Sequence, residues 1–198
     1  MTEFVLVRHG ETDWNVVNRL QGSTDIPLNE RGIEQAKQAA DALRNTVWDE
    51  IFASPLQRAF QTAVIIAQEL GLDEAAITTY PELRERSYGL AEGLTLPERR
   101  EKFPDDVWPE AELPHIMDER AGALMHELAE AHVGKRILVV AHGGWIRAAL
   151  RVTSAFDPQV IHADIPNISR TYISHAGGRW VVGDVGDVDE AERAAPVD

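Results

Sequence analysis

Cysteine is absent from the 198 residues. That excludes a disulfide scaffold, a cysteine-type zinc site and a thiol nucleophile. Long apolar runs are absent too. The longest, AVIIA from Ala63 and ILVVA from Ile137, fall far short of the roughly 18–20 residues that span a bilayer. The opening MTEFVLVRHG lacks the basic start and apolar stretch of a signal peptide. Positive charge is scarce: 19 Lys and Arg stand against 33 Asp and Glu, a formal net charge of −14. A field of that sign repels phosphate backbones and anionic lipid, so neither nucleic acid nor membrane is an expected partner. One small anion in a locally basic pocket stays compatible with it. A cytoplasmic protein is the expectation, since a cysteine-free chain fits a reducing compartment.

What is present is ordinary for a globular protein, 44% hydrophobic and 26% charged, and the length suits one domain. Phe4-Val5-Leu6-Val7 reads as a strand buried on both faces. Asn29 is a candidate N-cap for a helix carrying Ile33, Ala36, Ala40 and Leu43 on one face. A second strand at 51–53 runs into Ser54-Pro55, read as N-cap and first helical position. The helix that follows presents Leu56, Phe60, Ala63, Ile66 and Leu70. Residues 77–80 give a third strand and 96–102 a short charged helix. Ile116, Ala121, Leu124, Leu128 and Ala131 mark a longer helix. Residues 136–141 are the clearest strand, leading through His142-Gly143-Gly144 into a helix at 145–152. Strands at 168–174 and 179–182 close a hairpin through His175-Ala176-Gly177-Gly178.

Alternating strands and helices predict an α/β fold, a three-layer sandwich with a mostly parallel central sheet flanked by helices. A single domain is expected over residues 1–185, with a lid or insert at about 86–114. The stretch 186–198 is expected to be a flexible acidic tail. From Asp184 to the end there are six acids and one Arg. The edge of the final hairpin leaves a homodimer open as an expectation.

Candidate chemistry gathers where strands end, the usual ligand position of a parallel sheet. Arg8-His9-Gly10 follows the first strand and His142-Gly143-Gly144 follows the fourth. Glycines let backbone approach an anion, and a helix N-terminus donates amides to it. Arg58 stands in the first turn of its helix, against that helix's own dipole, where an anionic partner relieves it. No HExxH or other metal spacing occurs, so neither a metal nor a cofactor is expected. His115, His126, His132, His162 and His175 have no motif around them and read as surface or packed histidines. Trp14, Trp48 and Trp145 read as packing residues; Trp108, in the irregular segment, is open to substrate contact.

These motifs carry a resemblance. RHGETDWN (8–15), LNERGIEQA (28–36), SPLQRAFQTA (54–63), LRERSYGLAEG (83–93) and VAHGGWIR (140–147) stand in the order of the histidine phosphatase superfamily, phosphoglycerate-mutase-like branch. The resemblance implies that His9 is the nucleophile, forming a phosphohistidine. It implies that Arg8, Arg58 and His142 surround the phosphoryl group, that Asn15 and Gly143 help hold it, and that Glu85 is the general acid and base. These types suit the task. Phosphoryl transfer rests on positioning and charge stabilisation, and two guanidiniums with an imidazolium supply both without a metal. Nearby cations keep His9 neutral and its lone pair free. Glu92, seven residues on, competes with Glu85 for the acid–base role but reads better as a hydrogen-bonder to loop amides.

The stretch from Arg86 to Ala141 is short, and the second signature reads His142-Gly143-Gly144 where the branch's mutases usually have His-Gly-Asn. Arg99-Arg100 lies on a charged helix, so a solvated face is its plain reading. Both features favour a phosphatase for small phosphorylated metabolites, with a phosphoglycerate mutase or a non-catalytic phosphate-binding relic as alternatives. Ala111-Glu112-Leu113 before Arg120 departs from the short phosphatases' Gly-Glu-Ser, which predicts an unusual lid. Arg84, Arg86 and Arg99 are candidates to read a second anionic group, and Leu94, Phe103 and Trp108 to form an apolar wall.

Overall fold

The computed structural model describes residues 1–188. Strand β1 (Thr2–Arg8) leads through a one-turn helix α1 (Asp13–Val16) to helix α2 (Glu30–Leu43), strand β2 (Glu50–Ala53) and helix α3 (Gln57–Glu69). Strand β3 (Ile77–Thr79), helix α4 (Leu96–Lys102) and helix α5 (Pro114–Ala131) follow. The chain closes with β4 (Arg136–Ala141), α6 (Gly143–Thr153), α7 (Pro158–Ile161), β5 (Arg170–Ala176) and β6 (Arg179–Val182). The strands form one sheet in the order β3-β2-β4-β1-β5-β6. The first four are mutually parallel; β5 pairs antiparallel with β1, and β6 antiparallel with β5. This is the expected three-layer α/β sandwich.

Alternation along the strands builds the layers. Phe4 and Leu6 of β1, Phe52 of β2, and Ile137, Val139 and Ala141 of β4 pack against α5 and α6. Val5, Val7, Ile51, Ala53, Leu138 and Val140 point the other way, onto α2 and α3. The central strands are thus apolar throughout because both faces are covered. Trp145 is fully buried in the first of these cores. Ile33 and Ile116 lie at the margins of their helices' apolar stripes and stay exposed.

Helix ends follow local chemistry, with one correction. Asn29 caps α2 as expected, its Oδ1 accepting from Gly32 N at 2.8 Å. Ser54 does not cap α3. The chain stays extended through Leu56, and the first-turn amide of Gln57 donates to Asp25 Oδ1 at 2.7 Å. The Ser54 hydroxyl is engaged instead by His142 Nε2 at 2.8 Å. The hairpin turns on Gly177 and Gly178, with φ of +56° and +76°. That is the backbone of a tight two-residue turn, which only glycine adopts without strain. His175 and Ala176 belong to β5. The short α1 and α7 lack a readable apolar period; α7 forms around Pro158, with Asp157 capping Gln159 N at 2.9 Å.

The sheet margin reaches past the boundary expected at 185. Asp187 N donates to Arg170 O at 2.9 Å, and Asp187 Oδ2 accepts from Arg170 Nη2 at 2.8 Å. Gly186 and Asp187 are therefore held by β5 and do not begin a tail. The remainder of the acidic segment, 189–198, lies outside the described residues. Among the described residues no helix is long and apolar enough to cross a membrane.

Glycine has a packing role where the loop after β1 crosses α2. A Cβ on Gly32 would meet the Glu11 carbonyl oxygen, and one on Gly10 would meet the Gly32 carbonyl. Gly32→Ala in a free helix gains about 1 kcal/mol. Here it should cost about 1–3 kcal/mol through backbone displacement, measured by urea unfolding. A gain in stability would show that the loop yields freely.

Candidate active site

Strand register places the chemistry. Arg8 pairs with Ala141 and Ala53 with Val140. Three neighbouring strands therefore leave the sheet together, at His9, Ser54 and His142. His9 N donates to Ala141 O and Ser54 N to Val140 O, each at 3.0 Å. The His9 and His142 ring centroids stand 5.2 Å apart.

His9 is held on three sides. Its Nδ1 bonds the Gly10 carbonyl at 2.7 Å, and a carbonyl only accepts. Nδ1 therefore carries the proton and Nε2 keeps a lone pair. Asn167 Nδ2 donates to the His9 carbonyl at 2.8 Å, and Gly10 N donates to Thr62 Oγ1 at 3.1 Å. Burial, with Arg58 and Arg8 beside it, holds the His9 pKa well below its ordinary 6.5. His142 is fully buried, and burial with Arg58, His9 and Arg8 lowers its pKa in the same way, which opposes the imidazolium expected from the sequence and favours the neutral ring. Among the described residues its Nδ1 has no hydrogen-bond partner.

Both guanidiniums are anchored by carbonyls. Arg58, 1% exposed, donates to Gly22 O at 2.7 Å and Thr24 O at 2.9 Å. Arg8 donates to Ile165 O at 2.8 Å. The Nε of each is buried and unpartnered. Burial pushes the Arg58 pKa down to about 10 and lowers that of Arg8, so both stay charged at neutral pH. Glu85 Oε2 accepts from Gly144 N at 2.9 Å, and Oε1 from Arg86 N at 2.8 Å. A Cβ on Gly144 would collide with Glu85 Oε1, so the second glycine makes room for that carboxylate. Asn15 Oδ1 accepts from Thr12 N at 3.1 Å and Thr12 Oγ1 at 3.0 Å. This capping box orients Asn15 at the mouth.

Arg8, His9, Asn15, Arg58, Glu85 and Gly143 line a cavity of about 310 Å³, and the His142 ring adjoins that of His9. Gln21, Tyr88 and Ile165 add to its wall, and Arg19, Arg147 and Asp164 to its charge. Four arginines thus face two carboxylates inside a protein of strong net negative charge. The phosphoryl-site candidates Arg8, His9, Asn15, Arg58, Glu85 and Gly143 come together here, with His142 next to His9. A larger cavity, of about 430 Å³ between the end of α2 and the β5–β6 face, holds none of them.

Other expectations shift. Arg84, Arg86 and Arg99 do not line the cavity. Arg86 donates to Glu112 O at 2.7 Å and lies over the Tyr88 ring, and Arg99 lies over Trp108. Trp108 packs edge-on against Tyr88 at 5.6 Å and so sits behind the wall. Leu94 and Phe103 are likewise outside it, and Leu20 takes the apolar place. Sequence reading passed over Gln21, Arg19, Tyr88, Arg147 and Asp164. Arg147 and Tyr88 lie within the quoted motifs, whereas nothing local marks the others. Glu112 still pairs with Arg120 bidentately, at 2.9 and 3.1 Å, tying the 86–114 segment to α5. Among the described residues no group of three or more His, Asp or Glu is placed to hold a metal ion. The other five histidines lie away from the cavity.

The sequence pattern of the histidine phosphatase superfamily (branch 1) matches residues 4–188. The chain belongs to this family. It is 39% identical over 184 residues to the uncharacterized phosphatase PhoE of Bacillus subtilis, covering 93% of this chain and 94% of that protein. It is 33% identical to a metal-independent phosphoserine phosphatase of Arabidopsis thaliana, over 95% of this chain and 82% of the relative. The structure superposes on a mycobacterial glucosyl-3-phosphoglycerate phosphatase, solved with VO3, with a TM-score of 0.83 and 28% identity. That match covers 94% of this chain and 99% of the other.

Glu92 is a structural carboxylate in this superfamily member. It accepts from Ser23 N, Thr24 N and Tyr88 N, each at 2.9 Å, and from both the Ser23 and Thr24 hydroxyls. Burial works against its charge, but these donors win and hold its pKa below the usual carboxylate value. Since Gly22 and Thr24 carbonyls anchor Arg58, Glu92→Gln should lower stability by about 1–3 kcal/mol. It should also weaken vanadate binding; unchanged binding and stability would show the loop to be self-supporting.

The two neutral histidines set a pH response. The unfolded chain takes up protons near pH 6.5, whereas folded His9 and His142 resist until lower pH. More protons bind to the unfolded state in that window, so stability falls as pH drops below 6.5. Urea midpoints measured from pH 7 to pH 5 should decline, and His142→Asn should flatten the decline. An identical slope in the variant would remove His142 from this account.

Proposed function

We infer that this chain is a phosphatase that hydrolyses small phosphate monoesters without a metal, through a phosphohistidine on His9. The observation that carries this is the His9 ring, locked through Nδ1 to Gly10 O with its Nε2 lone pair beside two buried guanidiniums. Nε2 attacks phosphorus while Glu85 gives its proton to the leaving alkoxide. Arg8, Arg58, His142 and the amide of Gly143 at the start of α6 take up the charge on the equatorial oxygens. Glu85 then accepts a proton from water as that water attacks the phosphohistidine, and inorganic phosphate leaves.

The substrate is a small phosphorylated metabolite, in keeping with a cavity of about 310 Å³. Arg19 and Arg147 on its rim favour esters with a second anionic group. The relatives' named substrates, phosphoserine and glucosyl-3-phosphoglycerate, have that character. Neither arginine of α4 lines the cavity, and Arg99 lies over Trp108, which favours hydrolysis over the mutase alternative. A cytoplasmic enzyme remains our reading of the cysteine-free composition.

para-Nitrophenyl phosphate should release phosphate equally with and without EDTA. 3-Phosphoglycerate with a bisphosphate primer should lose phosphate and not isomerise; isomerisation without release would establish the mutase. His9→Ala should abolish turnover and the acid-labile phosphoenzyme. Glu85→Gln should lower kcat by about 10²–10⁴-fold with a smaller effect on phosphate affinity. Turnover by the His9 variant would overturn the assignment of the nucleophile.

A further inference from the structure

Ser54 sits at the end of β2 with no exposed surface, and its hydroxyl has three hydrogen-bonding capacities to account for. Its Oγ accepts from Leu56 N at 3.3 Å and lies 2.8 Å from His142 Nε2. Among the described residues no acceptor for the hydroxyl proton is within reach other than that ring nitrogen. Were Nε2 protonated, two donors would meet at Oγ and the hydroxyl proton would be buried unpaired, which is the costly arrangement. Only a hydroxyl donating to Nε2 satisfies both groups. A neutral imidazole has a single N–H, so the proton of His142 then resides on Nδ1. That atom is buried and has no partner.

We propose that Ser54 is a positioning residue for phosphoryl transfer, which fixes His142 as the neutral Nδ1–H tautomer and so offers that N–H to a phosphoryl oxygen. The idea rests on the phosphatase reading above. It gives the two site histidines the same tautomer with opposite working ends. His9 ties its Nδ1–H to a carbonyl and works through the Nε2 lone pair. His142 ties its Nε2 lone pair to a hydroxyl and works through Nδ1–H. The arrangement lets His142 donate without becoming a cation beside two buried guanidiniums, and the lowered basicity of the ring agrees with it.

Ring-nitrogen NMR of the wild-type enzyme, with histidine labelled by nitrogen-15 and His142 assigned by its loss in His142→Asn, reads the tautomer directly. A neutral ring protonated on Nδ1 is expected; an Nε2–H ring or an imidazolium at neutral pH overturns the proposal. Ser54→Ala should lower kcat/KM for para-nitrophenyl phosphate by about 10–100-fold, the effect of one hydrogen bond to a charged group, and mainly in kcat. In the His142→Asn background the side-chain amide has no tautomer to set, and the same change should cost about threefold or less. Equal losses in both backgrounds would show that Ser54 only shapes the β2–α3 turn, and would overturn the proposal. An Nδ1–H tautomer in a wild-type enzyme that releases no phosphate would defeat the functional reading and leave the ring assignment intact.

Discussion

Two guanidiniums and two imidazoles are buried together at one end of the sheet with a single carboxylate, Glu85, among them. Each cation has lost water, and like charges stand close. The consequence is visible in every group: both arginines and both histidines hold their protons less firmly than in water. A tetrahedral dianion entering the cavity meets donors whose desolvation has already been met by folding, which is the condition for electrostatic preorganisation. It also explains how a chain so acidic overall binds an anion, since the site is walled by Arg8, Arg19, Arg58 and Arg147 and screened from the surface field.

The two buried guanidiniums are anchored by carbonyl oxygens, and Arg147 on the rim by carbonyls together with Asp164 at 3.9 Å. Arg58 is held by Gly22 and Thr24, Arg8 by Ile165, and Arg147 by Ile161 and Ala163. Carbonyls fix direction without neutralising, so the guanidiniums stay oriented and remain attractive to an anion. Glu92 does the complementary work one layer out. It spends its charge on amides and hydroxyls of the 22–24 loop and on Tyr88, and so joins the Arg58 cradle to the cavity wall. The pair Glu112–Arg120 then ties the 86–114 segment to α5, and Arg120 also reaches the carbonyls of Glu82 and Arg84, just before Glu85.

The two carboxylates of one motif show why environment assigns roles. Glu92 is saturated with five donors and has no lone pair to spare for chemistry. Glu85 accepts two amides, from Gly144 and Arg86, and faces the cavity. Residue type is the same; the number and direction of donors differ. Gly144 contributes by lacking a side chain where Glu85 must lie.

Much of this was legible from order and period along the chain. Apolar runs at 4–7 and 137–141 are local properties, as is the Gly177-Gly178 turn, and they translate directly into buried parallel strands and a hairpin. Arg8, His9 and His142 stood out because they follow such strands, and strand ends converge in any parallel sheet. Other features depended on distance in sequence. Ser54 has the local signature of a helix cap, yet it faces His142 because β2 and β4 are neighbours in register, and the ring competes better for its hydroxyl. Arg86 and Arg99 look available for an anion, but packing against Tyr88 and Trp108 turns them aside, while Arg19 and Arg147 arrive from elements far apart. Periodicity and strand-end motifs thus determined the layers and the reacting groups, because these are set by neighbours along the backbone. The tertiary structure decided which nitrogen of each ring is tied to a neighbour, which carboxylate is left facing the cavity and which arginines line it, because hydrogen-bond competition is settled only among groups that folding brings together.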